Sequence, residues 1–258
     1  QLTISRLLFA CAEGLPTRVP YNSTRIKTLA MKPMLVFRPS RYLARIMRID
    51  PVQRQSAISL ASTIGLTAVG FLSTMYFAHT VGPSILGAYF LFVAYYSVFN
   101  LIGDGGFGGA AVKRISEGED QSAYFTAFAL LRVVLTVASV SFLLLAQPYF
   151  VKLTSSGVFS WLILALIAST FTNIASNSVY GRGKVGINQI GSLIDNLVRI
   201  GIQVAAIILG FGLAGLAGGF VAGILVSGLF NFRFLDLSFT SFRRSHIASL
   251  FTFSVWTF

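Results

Sequence analysis

Four ionisable residues lie inside long apolar runs of this sequence, where charged side chains are rare: Asp104, Arg132, Asp195 and Arg199. A charge near the centre of a membrane helix costs about 2.5–3.5 kcal/mol on insertion scales, so such residues usually face a protein interior or a water-filled cavity. The chemistry open to them is ion pairing and the binding of polar or charged ligands. They are therefore the first candidates for a functional site.

Asp195 and Arg199 are four residues apart, so on a helix they share a face and can pair, with the acid before the base in the favourable order. The pair either holds its helix against neighbouring helices, or lines a polar cavity and grips an anionic or sugar group. Arg132 also has two interpretations, because its long side chain can reach the cytoplasmic interface or face the cavity.

Residues that would carry covalent or metal chemistry are sparse. Cys11 is the single cysteine, which excludes a disulfide framework and a cysteine-based metal site. The two histidines, His79 and His246, are far apart in the sequence, and no catalytic cluster is visible. We expect no enzyme activity, no cofactor and no bound metal.

The composition indicates what positions these residues. Hydrophobic residues make up 55% of the 258 and charged residues 11%, with a mean hydropathy of +0.76. Soluble domains carry about 25% charged residues, so this chain has too little polar surface for a water-facing globule. The sequence predicts an all-α integral membrane protein.

Six segments have the roughly 20 apolar residues that a membrane crossing needs. They are residues 56–78, 84–111, 123–146, 158–180, 189–209 and 213–235. A seventh helix opens at His246 and stops with the sequence, which we read as truncated. The predicted organisation is a six-helix lobe at 55–235, followed at 236–258 by a cytoplasmic linker and the start of helix seven.

The loops predict the orientation. The connections on one side carry seven basic residues, and those on the other side carry Lys152 alone: the seven are Lys113, Arg114, Arg182, Lys184, Arg233, Arg243 and Arg244. Basic loops stay in the cytoplasm, so the N-terminus and these loops are predicted to be cytoplasmic. Lys113, Arg114, Arg182 and Lys184 would form a basic mouth that sets topology or attracts phosphate.

Ten of the 20 Lys and Arg residues precede Gln55. Residues 1–30 are an uncertain leader or read-through. Residues 31–54 are either a cytoplasmic basic amphipathic segment on anionic inner-leaflet lipid or a solvated tail that sets topology. A nucleic-acid partner is not expected.

Two short motifs carry a family resemblance. The first comprises Val81–Gly82–Pro83, Gly87 and Tyr89; the second comprises Asp104, Gly106, Gly108, Ala110, Ala111, Lys113 and Arg114. Over roughly residues 50–258 the chain resembles the N-terminal half of the polysaccharide-unit flippases, of O-antigen and teichoic-acid type, in the multidrug/oligosaccharidyl-lipid/polysaccharide exporter superfamily. In that family two six-helix lobes enclose a cavity that opens alternately to each side.

The resemblance implies a transporter that flips lipid-linked oligosaccharide across the cytoplasmic membrane. Arg132, Arg199 and the basic mouth would attract the phosphate, and Asn173, Asn177, Asn188 and Asn196 would contact sugar hydroxyls. Glycines at 103–109 would loosen the inner end of helix two, so that Asp104 sits at the wet cytoplasmic rim. Partners would be the lipid-linked glycan, membrane lipids and glycan polymerase or glycosyltransferases. The alternatives are a cation-coupled multidrug antiporter of the same superfamily and a membrane-embedded glycosyl- or acyltransferase.

Overall fold

The computed structural model describes residues 51–257, and side chains from Thr63 to Ser254 apart from Lys152. The predicted leader and almost all of the basic amphipathic segment lie outside these residues. The helical lobe lies within the compact unit at 55–258. The helices are α1 (Pro51–Asp104), α2 (Phe107–Ser116), α3 (Gln121–Leu145), α4 (Val151–Ser155), α5 (Phe159–Gly181), α6 (Val185–Ile208), α7 (Gly212–Arg233) and α8 (Arg244–Thr257), with a 3₁₀ turn at Gln147–Tyr149.

Within the described range every regular element is helical, as the composition predicts. Five stretches are long and apolar enough to cross a membrane: Thr63–Asp104, Gln121–Leu145, Phe159–Gly181, Val185–Ile208 and Gly212–Arg233. Large apolar side chains such as Leu145, Phe142 and Val137 are exposed along these helices. Such apolar surfaces are stable in lipid but not in water. The chain is therefore a multi-pass membrane protein.

The first stretch is 42 residues long, about twice what one crossing needs. Gly82 interrupts it with φ 81° and ψ 165°, a backbone conformation that only glycine adopts readily, and Pro83 follows, where proline suits a helix start. Gly70 and Val93, on opposite sides of Gly82, line the same pocket. A straight helix would place them more than 30 Å apart, so α1 folds back at Gly82 into two arms, residues 51–81 and 83–104.

The largest apolar core joins the second arm of α1 to α5 and α7. Phe92, Leu162 and Phe220 are buried in it, and the Phe92 and Phe220 rings meet edge to face with centroids 5.4 Å apart. The first arm is attached through Phe77, which packs with Ile207 of α6 and Leu216 of α7. Each arm of α1 is therefore fixed against the α5–α7 bundle.

Helices α6 and α7 pack closely because glycines form one stripe of α7. A Cβ built on Gly215 would lie 2.6 Å from Ala206 Cβ, and one on Gly219 would lie 2.5 Å from Gln203 Cγ. At Gly223 it would lie 2.6 Å from an Asp195 carboxylate oxygen. The spacing of these glycines in the sequence indicates such a close approach, and the structure shows that the partner is α6.

The predicted second crossing, residues 84–111, is not one helix. The second arm of α1 ends at Asp104, Gly105 and Gly106 adopt positive φ (55° and 75°), and α2 starts at Phe107. Two consecutive residues in the left-handed region cannot continue a right-handed helix. The glycine segment thus breaks the helix, as the resemblance implies, and Ala110 and Ala111 belong to α2.

Helix α8, the predicted seventh helix, packs against α2. Leu250 is fully buried among α2 and α3 side chains, and the Phe107 and Phe251 rings lie 4.7 Å apart. Ser254 Oγ donates to the carbonyl of Gly105. At the other end of α8, His246 Nδ1 accepts from the Arg243 amide, so Nε2 carries the proton that faces Asp120, 3.3 Å away.

Candidate substrate-binding site

Asp104 and Arg132 form an ion pair at the break between α1 and α2. Arg132 Nη1 lies 3.1 Å from Asp104 Oδ1; the Arg132 side chain is 1% exposed and that of Asp104 28%. Asp104 Oδ2 also accepts the Gly108 amide at 3.4 Å, which places a negative charge at the N-terminus of α2, where the helix dipole favours it. Asp104 therefore has a wetted position, while Arg132 is enclosed and lines no described cavity.

Asn100 organises this cluster, and the sequence analysis missed it. Its Oδ1 accepts from Arg132 Nη2 at 2.5 Å, Ser169 Oγ at 3.2 Å and Asn173 Nδ2 at 3.3 Å. Its backbone carbonyl accepts from Arg132 Nη1 at 3.3 Å. The available signal was an amide one helical turn before Asp104, inside an apolar run, because residues four apart share a helix face.

A cleft of about 520 Å³ opens beside this cluster, and we call it the asparagine cleft. Its lining residues are Tyr96, Ser97, Asn100, Leu101, Asp104, Gly108, Gly109, Asn173 and Asn177. Asn173 and Asn177 are one turn apart on α5. A Cβ on Gly108 would lie 2.7 Å from Asn177 Nδ2 and 2.9 Å from Asp104 Oδ1. Glycine at 108 thus leaves room for both polar groups.

Asp195 and Arg199 form a second, separate cluster on α6. Arg199 Nη2 lies 3.7 Å from Asp195 Oδ2, and both side chains are about one quarter exposed. Arg199 also donates to Asn196 Oδ1 and lies over the Phe220 ring, 5.5 Å from its centroid. At this distance the ion pair is loose, and within the described part of the chain Asp195 Oδ1 is buried without a hydrogen-bond partner.

A pocket of about 180 Å³ adjoins this second cluster, and we call it the Arg199 pocket. Arg199, Asn196, Gln203 and Tyr89 line it together with side chains from both arms of α1. Gln203 Nε2 donates to the Tyr89 hydroxyl at 3.0 Å. The pocket is therefore lined by one guanidinium and several neutral polar groups, surrounded by apolar side chains.

The predicted site residues thus fall into two groups. Asp104, Arg132, Asn173 and Asn177 meet around Asn100, whereas Asp195, Asn196 and Arg199 lie on α6. One face of the second arm of α1 connects the groups: Tyr89 and Val93 line the Arg199 pocket, and Tyr96, Asn100 and Asp104 line the asparagine cleft. Spacings of three and four residues keep these five side chains on one face.

The four residues of the predicted basic mouth each have a partner in or near a loop. Lys113 and Arg114 pair with Glu117 at 3.7 and 2.9 Å, Arg182 donates to Gln121, and Lys184 pairs with Asp236. The hydrogen bond from Arg114 lowers the pKa of Glu117, and that from Lys184 lowers the pKa of Asp236. Each of these four cations therefore has a polar partner within the protein.

Comparisons with known proteins give one similarity. The chain is 25% identical over 213 residues to the probable low-salt glycan biosynthesis flippase Agl15 of Haloferax volcanii. The match covers 81% of this chain and 44% of the relative, so the chain spans less than half the length of the curated relative it matches. No protein-family model and no solved structure matches. The comparison therefore supports a flippase-like family.

Proposed function

We propose that this chain forms one lobe of a transporter that flips lipid-linked glycan units across the cytoplasmic membrane by alternating access. The observation that carries the proposal is the asparagine cleft, a polar cavity rich in amides inside an otherwise apolar helical lobe. Amides bind hydroxyl-rich ligands because they both donate and accept hydrogen bonds. The similarity to a glycan biosynthesis flippase supports the same substrate class.

Six crossings and a cytoplasmic N-terminus belong to this proposal. The reversal at Gly82 divides the 42-residue stretch into two arms, each long enough for one crossing, which with the four other stretches makes six. The basic loops then all lie on the inner side, and Lys152 lies on the outer side. The asparagine cleft, at the Asp104 end of α1, opens in the inner half of the membrane.

The candidate residues take different roles in this proposal. Asn173, Asn177 and Asp104 contact the glycan, and Arg199 with Asn196 offers a positive site along the same face of α1. Arg132 acts indirectly: its enclosed guanidinium holds Asp104 and Asn100 in place. The four mouth residues stabilise loops, and glycosyltransferases and a glycan polymerase remain predicted partners.

A cation-coupled antiporter of the same superfamily is the competing function. Such a transporter needs an acid that is free to exchange a cation, whereas Asp104, the acid in the asparagine cleft, is held by Arg132 and by the Gly108 amide. The asparagine cleft and the glycan-flippase relative favour glycan transport over this alternative.

Complementation tests the proposed function. The full-length protein is produced in a strain whose own flippase is deleted, and glycan at the cell surface is measured. We expect surface glycan to return with the wild type and to be lost again in Asn173→Ala/Asn177→Ala, while Asn188→Ala, which lies outside both cavities, behaves as wild type. Increased drug resistance without surface glycan would instead establish the antiporter.

A further inference from the structure

The charged and polar groups that line the asparagine cleft favour one part of the substrate over the other. We propose that it binds the uncharged, hydroxyl-rich part of the glycan and excludes the phosphate of the lipid carrier. This inference rests on the proposed function, and it concerns which end of the substrate the cleft takes.

No Lys or Arg is among the residues that line the cleft. The nearest guanidinium, that of Arg132, is 1% exposed, and the Asp104 carboxylate already neutralises it. Phosphate sites in proteins are built from accessible arginines and lysines. The single charged group that reaches the cleft is the Asp104 carboxylate, which repels a phosphate.

A helix N-terminus is the other common phosphate site, and α2 starts at this cleft. That position is already taken, because the Gly108 amide donates to Asp104 Oδ2. The protein's own carboxylate occupies the place that an incoming anion would need. Asp104 therefore opposes both usual routes to phosphate recognition in the cleft.

The remaining groups suit neutral hydroxyls. Within the described part of the chain, the side-chain amide of Asn177 makes no hydrogen bond to protein. The side-chain amide of Asn173 donates one of its protons to Asn100. Free amide groups and a carboxylate match hydroxyls, which both donate and accept, and Tyr96 adds an aromatic side chain to the wall. A volume of about 520 Å³ lies within the roughly 300–1,000 Å³ of small-ligand sites.

Two serines provide matched reporters for the test. Ser97 lines the asparagine cleft and Ser73 lines the Arg199 pocket. Each hydroxyl donates to the carbonyl four residues earlier, at 2.8 and 2.7 Å. Ser97→Cys and Ser73→Cys are made in the full-length protein with Cys11 and any further native cysteine replaced by serine, and alkylation of the new thiol is timed in lipid nanodiscs. The probes are the lipid-linked glycan extracted from the host and the same lipid phosphate without its glycan.

We expect the glycosylated lipid to slow alkylation of Ser97→Cys about ten-fold when it is present at roughly ten times its Kd. The lipid phosphate without glycan should leave the rate unchanged at Ser97→Cys, and Ser73→Cys shows whether the bare lipid phosphate binds elsewhere. Protection of Ser97→Cys by the bare lipid phosphate would overturn the inference, as would protection by neither lipid. Surface glycan in the complemented strain is read separately, so the inference can fail while the flippase function stands.

If the thiol variants lose stability, a second measurement tests the same inference about the cleft. Asn177→Lys places a cation in the cleft next to Asp104. If the cleft binds hydroxyls, cells with this variant should lose surface glycan. If the cleft binds phosphate, they should keep it or export more. Retained export by Asn177→Lys at wild-type protein levels would therefore overturn the inference.

Discussion

The Asp104–Arg132 pair permits a prediction in which the two single substitutions have unequal effects. Removing one partner of a buried pair costs about 3–5 kcal/mol, because the other charge is left unpaired. The charge that remains after Arg132→Met is Asp104, whose side chain is 28% exposed and can hydrate from the cleft. After Asp104→Ala the charge that remains is Arg132, whose side chain is 1% exposed and therefore cannot be hydrated.

The exposures therefore place the two variants at opposite ends of this range. We expect Arg132→Met to cost about 3 kcal/mol and Asp104→Ala about 5 kcal/mol. The double variant removes both charges and should recover most of the loss, leaving about 1 kcal/mol for the lost acceptor at the start of α2. At about 2–4 °C per kcal/mol, Arg132→Met should lower the melting temperature by about 6–12 °C.

The assay is thermal unfolding of the purified full-length protein in detergent, with all variants at one protein concentration. Arg132→Lys is the matched control: it retains the charge beside Asp104 but loses the second donor to Asn100, so it should fall between wild type and Arg132→Met. If the double variant is no more stable than Asp104→Ala, the loss of stability does not come from leaving Arg132 unpaired. Equal melting temperatures of the two single variants would refute the argument from exposure.

Three further predictions concern packing, topology and the second cluster. Gly219→Leu should prevent assembly, because even a Cβ there meets Gln203 of α6 at 2.5 Å, while Val226→Leu on the exposed face of α7 should express normally; equal yields in detergent would contradict this. A cysteine at Arg182 should resist a membrane-impermeant thiol reagent in intact cells, and labelling from outside would reverse the topology. Compared with either single charge reversal, exchanging Asp195 and Arg199 should restore protein levels but not surface glycan, since the cation moves one turn along α6 to a position that does not line the Arg199 pocket; restored export would make the pair purely structural.

Much of the lobe could be predicted from the sequence, since membrane helices follow local rules. In lipid every backbone polar group needs an internal partner, so an apolar run of about 20 residues must become a helix. Gly82–Pro83 marks the reversal of α1, and the 215/219/223 stripe indicates a close helix contact. Each depends on residues adjacent in the chain or one turn apart.

The grouping of the site residues depended on contacts that sequence spacing does not encode. Asn100 and Asn173 are 73 residues apart and meet at 3.3 Å, and Arg132 reaches back 28 residues to Asp104. Local reasoning paired Asp195 with Arg199 because they share a helix, but it had no means to give Asp104 a partner. It also treated the mouth cations as one group, whereas Lys113 and Arg114 share Glu117 and the other two cations pair with Gln121 and Asp236.

The sequence by itself determined the class of the protein, the helical segments and the glycine break after Asp104, and it predicts the side on which the basic loops lie. These follow from hydropathy, backbone conformation and charge, which act over a few residues. Only the tertiary structure decided that Arg132 is enclosed and paired with Asp104, and that the candidates form two clusters along one face of α1. Burial and partner choice depend on how α1, α3, α5 and α6 pack together, and no single segment carries that information.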